Sequence, residues 1–328
     1  MKKLRTLMIA AAAGMLLASC NKDEGTAEPA FVSQFPEDGV IRVTTNVNEA
    51  ILTRAGLTTD NLSNFYLNFE TSGDGYDYFQ KITKDGDEWK SESPMLWKDD
   101  RTPVSFSAAV FGDHEFTKDE FVGGSLVLPE DQSAAEGAGI NAADLLRMPS
   151  TIIFDPASET DHMTTDGKLK IALNHALTKI DITLTLANEF QKADLNKAAD
   201  LTDFTVGSYK NFSFSQDEDG YISPLGDETI NVKAYRSSFT QGANSVAKYE
   251  CIVVPTAQYI HPKTKLAVSF KIGEKTYTWT SAEVTLEHGY KYAIELTAGS
   301  DAVTTTAPGG FTATPWTGTD TPTNINTH

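Results

Sequence analysis

The chain has 328 residues, 40% of them hydrophobic, and carries 45 acidic against 27 basic side chains for a net charge of −18. That charge excludes a nucleic-acid partner and broad contact with an anionic membrane surface, because both need a basic face. The apolar content excludes a disordered chain, and the length allows about two domains.

The first twenty residues have three parts. Lys2, Lys3 and Arg5 form a basic start, Leu7–Leu17 is an uncharged apolar run, and Leu17-Ala18-Ser19-Cys20 follows. The run is too short for a permanent membrane span and reads as a signal peptide over residues 1–19. A branched residue, two small residues and a cysteine resemble a bacterial lipobox. Cleavage is expected before Cys20, with lipid on its thiol as an outer-membrane anchor exposed at the cell surface. Asn21-Lys22-Asp23-Glu24 is similar to the surface-export tag of lipoproteins from Bacteroidetes-type bacteria. Gly25, Pro29 and Pro36 make residues 20–36 a tether.

From there the apolar pattern has period two. Ile41, Val43 and Val47 share a face; Phe65, Leu67 and Phe69 alternate with their neighbours; Val104, Phe106, Ala108 and Val110 do the same. Ser72-Gly73-Asp74-Gly75 and Lys84-Asp85-Gly86-Asp87 are turn signals. Short helical pieces are expected at Asn141–Arg147 and Asn188–Ala199. Leu169–Leu173 and Leu177–Leu186 read as a long strand pair, and the polar stretch ending in Asp166-Gly167 places a domain break near 167. This gives an N-terminal domain over 37–167 and a C-terminal domain over 168–328. Leu266–Ile272 and Tyr290–Leu296 continue the alternation, and Asp217-Glu218-Asp219-Gly220 reads as a hairpin turn. Many short strands with regular turns indicate antiparallel sandwiches, an all-β fold. The tail after Ala298 is rich in Thr, Gly and Pro yet carries Val303, Phe311 and Trp316.

Chemistry-bearing patterns are scarce. No histidine pair has metal-ligand spacing, and no phosphate loop, dinucleotide fingerprint or nucleophile elbow is present. No cofactor and no enzymatic activity are expected. Cys251, inside Glu250-Cys251-Ile252-Val253-Val254, reads as a buried small residue rather than a nucleophile. His175 reads as a structural histidine between two strands. Trp89, Trp97, Trp279 and Trp316 either stack on sugar at the surface or fill core positions.

One order of features points further. A lipobox, a short β run, Thr53-Arg54-Ala55, and Trp97 before Pro103-Val104-Ser105-Phe106-Ser107-Ala108 are followed by Asp144-Leu145-Leu146 and Leu173-Asn174-His175-Ala176-Leu177-Thr178-Lys179-Ile180. A Gly289-Tyr290-Lys291-Tyr292 strand and a late Trp316 close the series. Together these resemble the fimbrillin family, the fimbrial subunits of Bacteroidetes-type bacteria. The resemblance implies two transthyretin-like β-sandwich domains and assembly with other fimbrial subunits. It implies an arginine-specific processing protease that cuts between Arg54 and Ala55 and removes a first strand, Ile41 to Leu52, plugged by Ile41, Val43 and Val47. A C-terminal donor strand within Val303 to Trp316, including Phe311, would fill a neighbour's groove. Pro308-Gly309-Gly310 and Pro315 are unfavourable in such a donor. Shaft subunit, tip or anchor subunit with a host or bacterial adhesion ligand, and non-polymerising surface protein all stay open. So does a glycan-binding surface lipoprotein of a nutrient-uptake system, which needs exposed aromatic rings.

Overall fold

Period-two alternation becomes strand wherever it falls on the described residues. Val104, Phe106, Ala108 and Val110 are all buried along one strand, as are Leu266, Val268, Phe270 and Ile272 along another. The computed structural model describes residues 34–48, 56–71, 75–156, 161–216, 222–257, 264–305, 310–316 and 323–324. They lie in one compact unit, Ser33–His328.

The first half contains β1 (Arg42–Asn48), β2 (Asn64–Thr71), β3 (Tyr78–Asp85), β4 (Glu88–Ser91), β5 (Val104–Phe111), β6 (Gly124–Val127), β7 (Leu145–Arg147), β8 (Ile152–Phe154) and β9 (Lys168–His175). The second contains β10 (Thr178–Leu186), β11 (Leu201–Tyr209), β12 (Asn211–Ser215), β13 (Ser223–Pro224), β14 (Thr229–Lys233), β15 (Tyr235–Thr240), β16 (Val246–Val253), β17 (Thr264–Ile272), β18 (Lys275–Val284) and β19 (Tyr290–Ala298). The tail adds β20 (Val303–Thr305), β21 (Thr312–Pro315) and β22 (Thr323–Asn324). Short helices α1 (Lys118–Gly123), α2 (Ala138–Ala143) and α3 (Asn188–Lys192) interrupt them. A capping box starts α1, with Thr117 Oγ1 accepting from the Glu120 N–H and Glu120 Oε2 from the Thr117 N–H. The Asp85-Gly86-Asp87 signal closes the β3–β4 hairpin, where Gly86 takes a left-handed φ of +62°.

An eight-stranded sheet runs β1-β9-β7-β5-β2-β3-β4, with β8 also on β5. A seven-stranded sheet runs β15-β16-β10-β19-β21-β22, with β20 also on β19. Smaller sheets are β14-β11-β17-β18 and β13-β12-β6. The all-β expectation holds, and most ladders are antiparallel. Among the described residues two are parallel, β1 with β9 and β10 with β19. One apolar cluster holds Ile41, Val43, Val47, Phe65 and Phe106 together with Leu169, Ile171 and Leu173 of β9. A second is built mainly from β10 onward and includes Ile180, Cys251, Phe270, Tyr292, Phe311 and Trp316.

The expected pairing of residues 169–173 with 177–186 does not occur. β9 pairs with β1 and β7, whereas β10 pairs with β16 and β19. The reason lies in the link, Ala176-Leu177. It has no Gly, Asn or Asp for a tight reversal, and both residues are buried. Their backbone groups are also claimed from opposite sides. The Ala176 N–H donates to Leu145 O of β7, and the Leu177 carbonyl accepts from the Gly289 N–H beside β19. The chain therefore passes from one sheet to the other without turning back. β9 belongs with the sheet of the strands before it, while the second apolar cluster also takes Tyr66, Phe111, Phe121 and Leu145 from the first half. The helical expectation at Asn141–Arg147 is likewise half replaced, since α2 ends at Ala143 and Leu145–Arg147 is β7.

Candidate functional site

The strand carrying Ile41, Val43 and Val47 lies at one edge of the eight-stranded sheet, with β9 as its one ladder partner among the described residues. These three side chains are buried in the first apolar cluster. Two side chains reinforce the ladder: Thr45 Oγ1 donates to Ile171 O at 2.9 Å, and Asn48 Nδ2 to Asn174 Oδ1 at 2.8 Å. Away from β9, the Ile41 N–H donates to Met95 O and the Val47 N–H to Thr59 Oγ1. Backbone groups alternate along a strand, so the N–H groups of Val43 and Thr45 face that same outer edge. There a cleft of about 600 Å³ separates β1 from Lys84, Glu88 and Trp89. Arg42 is tied to its own upstream neighbour Asp38 at 2.5 Å, and this bond holds the Asp38 carboxyl down at about 2. The expected signal peptide, Cys20 and most of the expected tether lie outside the described residues. So do Arg54, Ala55 and the end of the expected first strand, residues 49–52.

The C-terminal tail is seated in its own chain's sheet. Val303 pairs with Ala298, and Thr312–Pro315 pairs with Ala293–Tyr290, so β20 and β21 both line β19. The two short ladders stand on either side of Pro308-Gly309-Gly310, which accounts for an interrupted sequence that still pairs. Phe311, Ala313 and Trp316 are buried, and Val303 is half-buried.

Beside Trp316 the two sheets share a buried polar cluster. The His175 ring, at the end of β9, lies flat on the Trp316 indole, with centroids 3.8 Å apart and planes 3° from parallel. His175 Nδ1 is 3.0 Å from Asp144 Oδ2, and both side chains are excluded from solvent. Asp144 Oδ1 is also within hydrogen-bond distance of Nδ1, at 3.1 Å. The same Asp144 Oδ2 accepts the Leu57 N–H at 2.8 Å, while Asn141 Oδ1 accepts the Gly56 N–H at 3.1 Å. Gly56 has a φ of +123°, and an added Cβ would lie 3.2 Å from both Asp144 Oδ2 and the Trp316 ring. Only glycine fits this approach. On the far side, Lys179 Nζ sits 5.7 Å from the Trp316 centroid and 2.8 Å from Glu250, although the Lys179 side chain is only 1% exposed. Burial raises the Asp181 carboxyl next to it above its ordinary range, against the pull of Lys179.

The sequence marks Asp144, His175 and Trp316 separately but not their contact. The legible signal is Asp144 itself, a carboxylate directly before the buried Leu145-Leu146, where an unpaired charge would be costly. Elsewhere the structure offers little chemistry. Cys251 is buried, and burial pushes its thiol far above the ordinary value. Among the described residues no group of three or more His, Cys, Asp or Glu side chains is placed to hold a metal ion. Trp97 and Trp316 are buried, and Trp89 and Trp279 are half-buried against the two apolar clusters. The turns expected at Ser72–Asp74 and Asp217–Gly220 lie outside the described residues.

Residues 52–316 match the family described as fimbrillin-like. No curated protein matches the chain. Among solved structures, the chain is similar to a proposed cell adhesion protein of Bacteroides uniformis, with a TM-score of 0.53 and 17% identity over 86% of this chain and 99% of that one. A proposed cell adhesion protein of Bacteroides ovatus gives a TM-score of 0.53 and 13% identity over 84% and 97%. At these identities the likeness establishes a shared fold.

Proposed function

This chain belongs to the fimbrillin-like family, and from that premise we propose that it is a lipid-anchored surface subunit that assembles with other fimbrial subunits by exchange of strands and supports adhesion. In this reading Cys20 carries the lipid, an arginine-specific protease cuts after Arg54, and β1 leaves. The segment Val303–Trp316 then quits β19 and fills the groove of a neighbouring subunit.

The observation that carries the reading is the position of β1. It is an edge strand held by a single ladder among the described residues, yet it contributes three buried side chains, counting Ile41 at its start, to a core. An edge strand can depart without breaking the rest of its sheet. Each of Ile41, Val43 and Val47 is worth about 1.5–3 kcal/mol of burial, so their loss exposes about 5–9 kcal/mol of apolar contact. That approaches the whole stability of a typical domain, about 5–15 kcal/mol. A groove of this kind does not stay empty; an added strand restores both the ladder and the buried side chains. Contacts that run head to tail without closing give filaments. The tail alternates suitably for a donor, with Phe311 and Ala313 buried and Thr312 and Thr314 half-exposed between and beyond them.

The test is the N-terminal residue of the protein recovered from the cell surface, together with its oligomeric state after treatment with an arginine-specific protease. We expect Ala55 at the terminus and a ladder of oligomers that Arg54→Ala abolishes. A monomer after complete cleavage at Arg54 would refute strand exchange.

A further inference from the structure

We propose that Asp144 and His175 are positioning residues that hold the C-terminal tail on β19 only while β1 is in place, so that loss of β1 and release of the tail are one event. The inference rests on the fimbrial reading above and adds the residues that connect its two ends.

Three observations converge. First, β9 depends on β1. The β1 ladder covers β9 from Lys168 to Asn174, whereas β7 touches it at Asn174 and His175 alone and Met163 bridges it at Leu169. When β1 departs, the strand that delivers His175 loses its one long ladder, including the Asn48–Asn174 side-chain bond next to the histidine. Second, the chain on the other side of residues 49–55 returns to the same place. Gly56 and Leu57 donate their N–H groups to Asn141 and Asp144, and Asp144 orients His175. The two flanks of the proposed cut are therefore anchored beside His175, through Asn174, and on Asp144 itself. Third, Trp316, which is also part of the second apolar cluster, meets this polar cluster directly. Its backbone N–H donates to Gly289 O at 2.7 Å, but its indole N–H is buried with no acceptor among the described residues. The ring is kept by its flat contact with His175, by the bare Gly56 and by Lys179. A buried polar cluster specifies one arrangement when complete and loses it when a member shifts.

The experiment replaces residues 53–55 of the full chain by a site-specific endoprotease sequence, so that one bond is cut. Backbone hydrogen exchange of residues 312–316 is followed by mass spectrometry before cutting, and again after the released segment has been removed. β17 serves as the folding control. We expect exchange in the tail of the monomeric fraction, separated from oligomers in which a neighbour's groove would protect it again, to rise by roughly tenfold or more on loss of β1 while β17 stays protected. Asp144→Asn should raise tail exchange in the uncut chain. Should that variant not fold, the cut parent protein carries the test alone, because no side chain of the cluster is altered in it. Unchanged tail exchange in the cut monomer after loss of β1, or an equal rise in β17, would overturn the coupling. Tail release without oligomers upholds the coupling and sinks the fimbrial reading. Oligomers beside a cut monomer whose tail stays protected sink the coupling and leave the reading standing.

Discussion

Lys179 shows how much one buried charge governs. Its ammonium is almost wholly enclosed, with Glu250 at 2.8 Å and Asp181 at 3.8 Å. Removing one member of a buried ion pair strands the others, at a cost of about 3–5 kcal/mol. Lys179→Ala should therefore lower stability by about that amount in urea titrations, whereas Lys90→Ala, whose bond to Asp85 lies at the surface, should leave the midpoint in place. His288 supplies a pH dependence. Burial, with Arg147 adding to it, holds its pKa below the ordinary 6.5. The unfolded chain then binds the proton at higher pH than the native protein. Stability is full above 6.5 and is lost as pH falls through the lower native value. Urea midpoints measured from about pH 7.5 down to about pH 5 should fall with acidification, and His288→Gln should flatten the slope.

Among the elements, β1 and the tail are opposites in what the sequence discloses. β1 is legible because its alternation is clean and puts Val43 and Val47, with Ile41 just before them, on one buried face. The tail is harder to read, since Pro308-Gly309-Gly310 breaks the pattern and the ladder forms in two pieces along β19. The separate roles of the elements allow a two-state test. Val43→Ala removes two methyl groups from a buried position and should cost about 2 kcal/mol in the uncut chain. In protein cut after Arg54 and freed of β1, the same substitution should have no effect on the denaturation midpoint. A penalty that persists after cleavage at Arg54 would mean that the strand had never left.

For the molecule as a whole, the enclosure of tryptophan counts against a polysaccharide surface. Sugar recognition needs open aromatic faces, and here Trp97 and Trp316 are enclosed while Trp89 and Trp279 lean on the two cores. Affinity electrophoresis through neutral polysaccharides should show no retardation of the intact protein. Retardation that is lost on Trp89→Ala would restore the nutrient-uptake alternative, with the cleft beside β1 as its site.

Strand content, the buried face of β1 and the inert burial of Cys251 follow from the order of residues alone, because side-chain alternation and apolar context are properties of near neighbours. Asp144, His175 and Trp316 stand out in the same way, each within its own stretch of chain. Their meeting is a different matter, as are the joining of Lys168–His175 to the first sheet and the closing of the tail on β19. Those outcomes depend on which distant backbone groups claim Ala176 and Leu177. They depend too on a glycine at position 56 that lets a loop, a carboxylate and an indole occupy one point, and no local pattern encodes either.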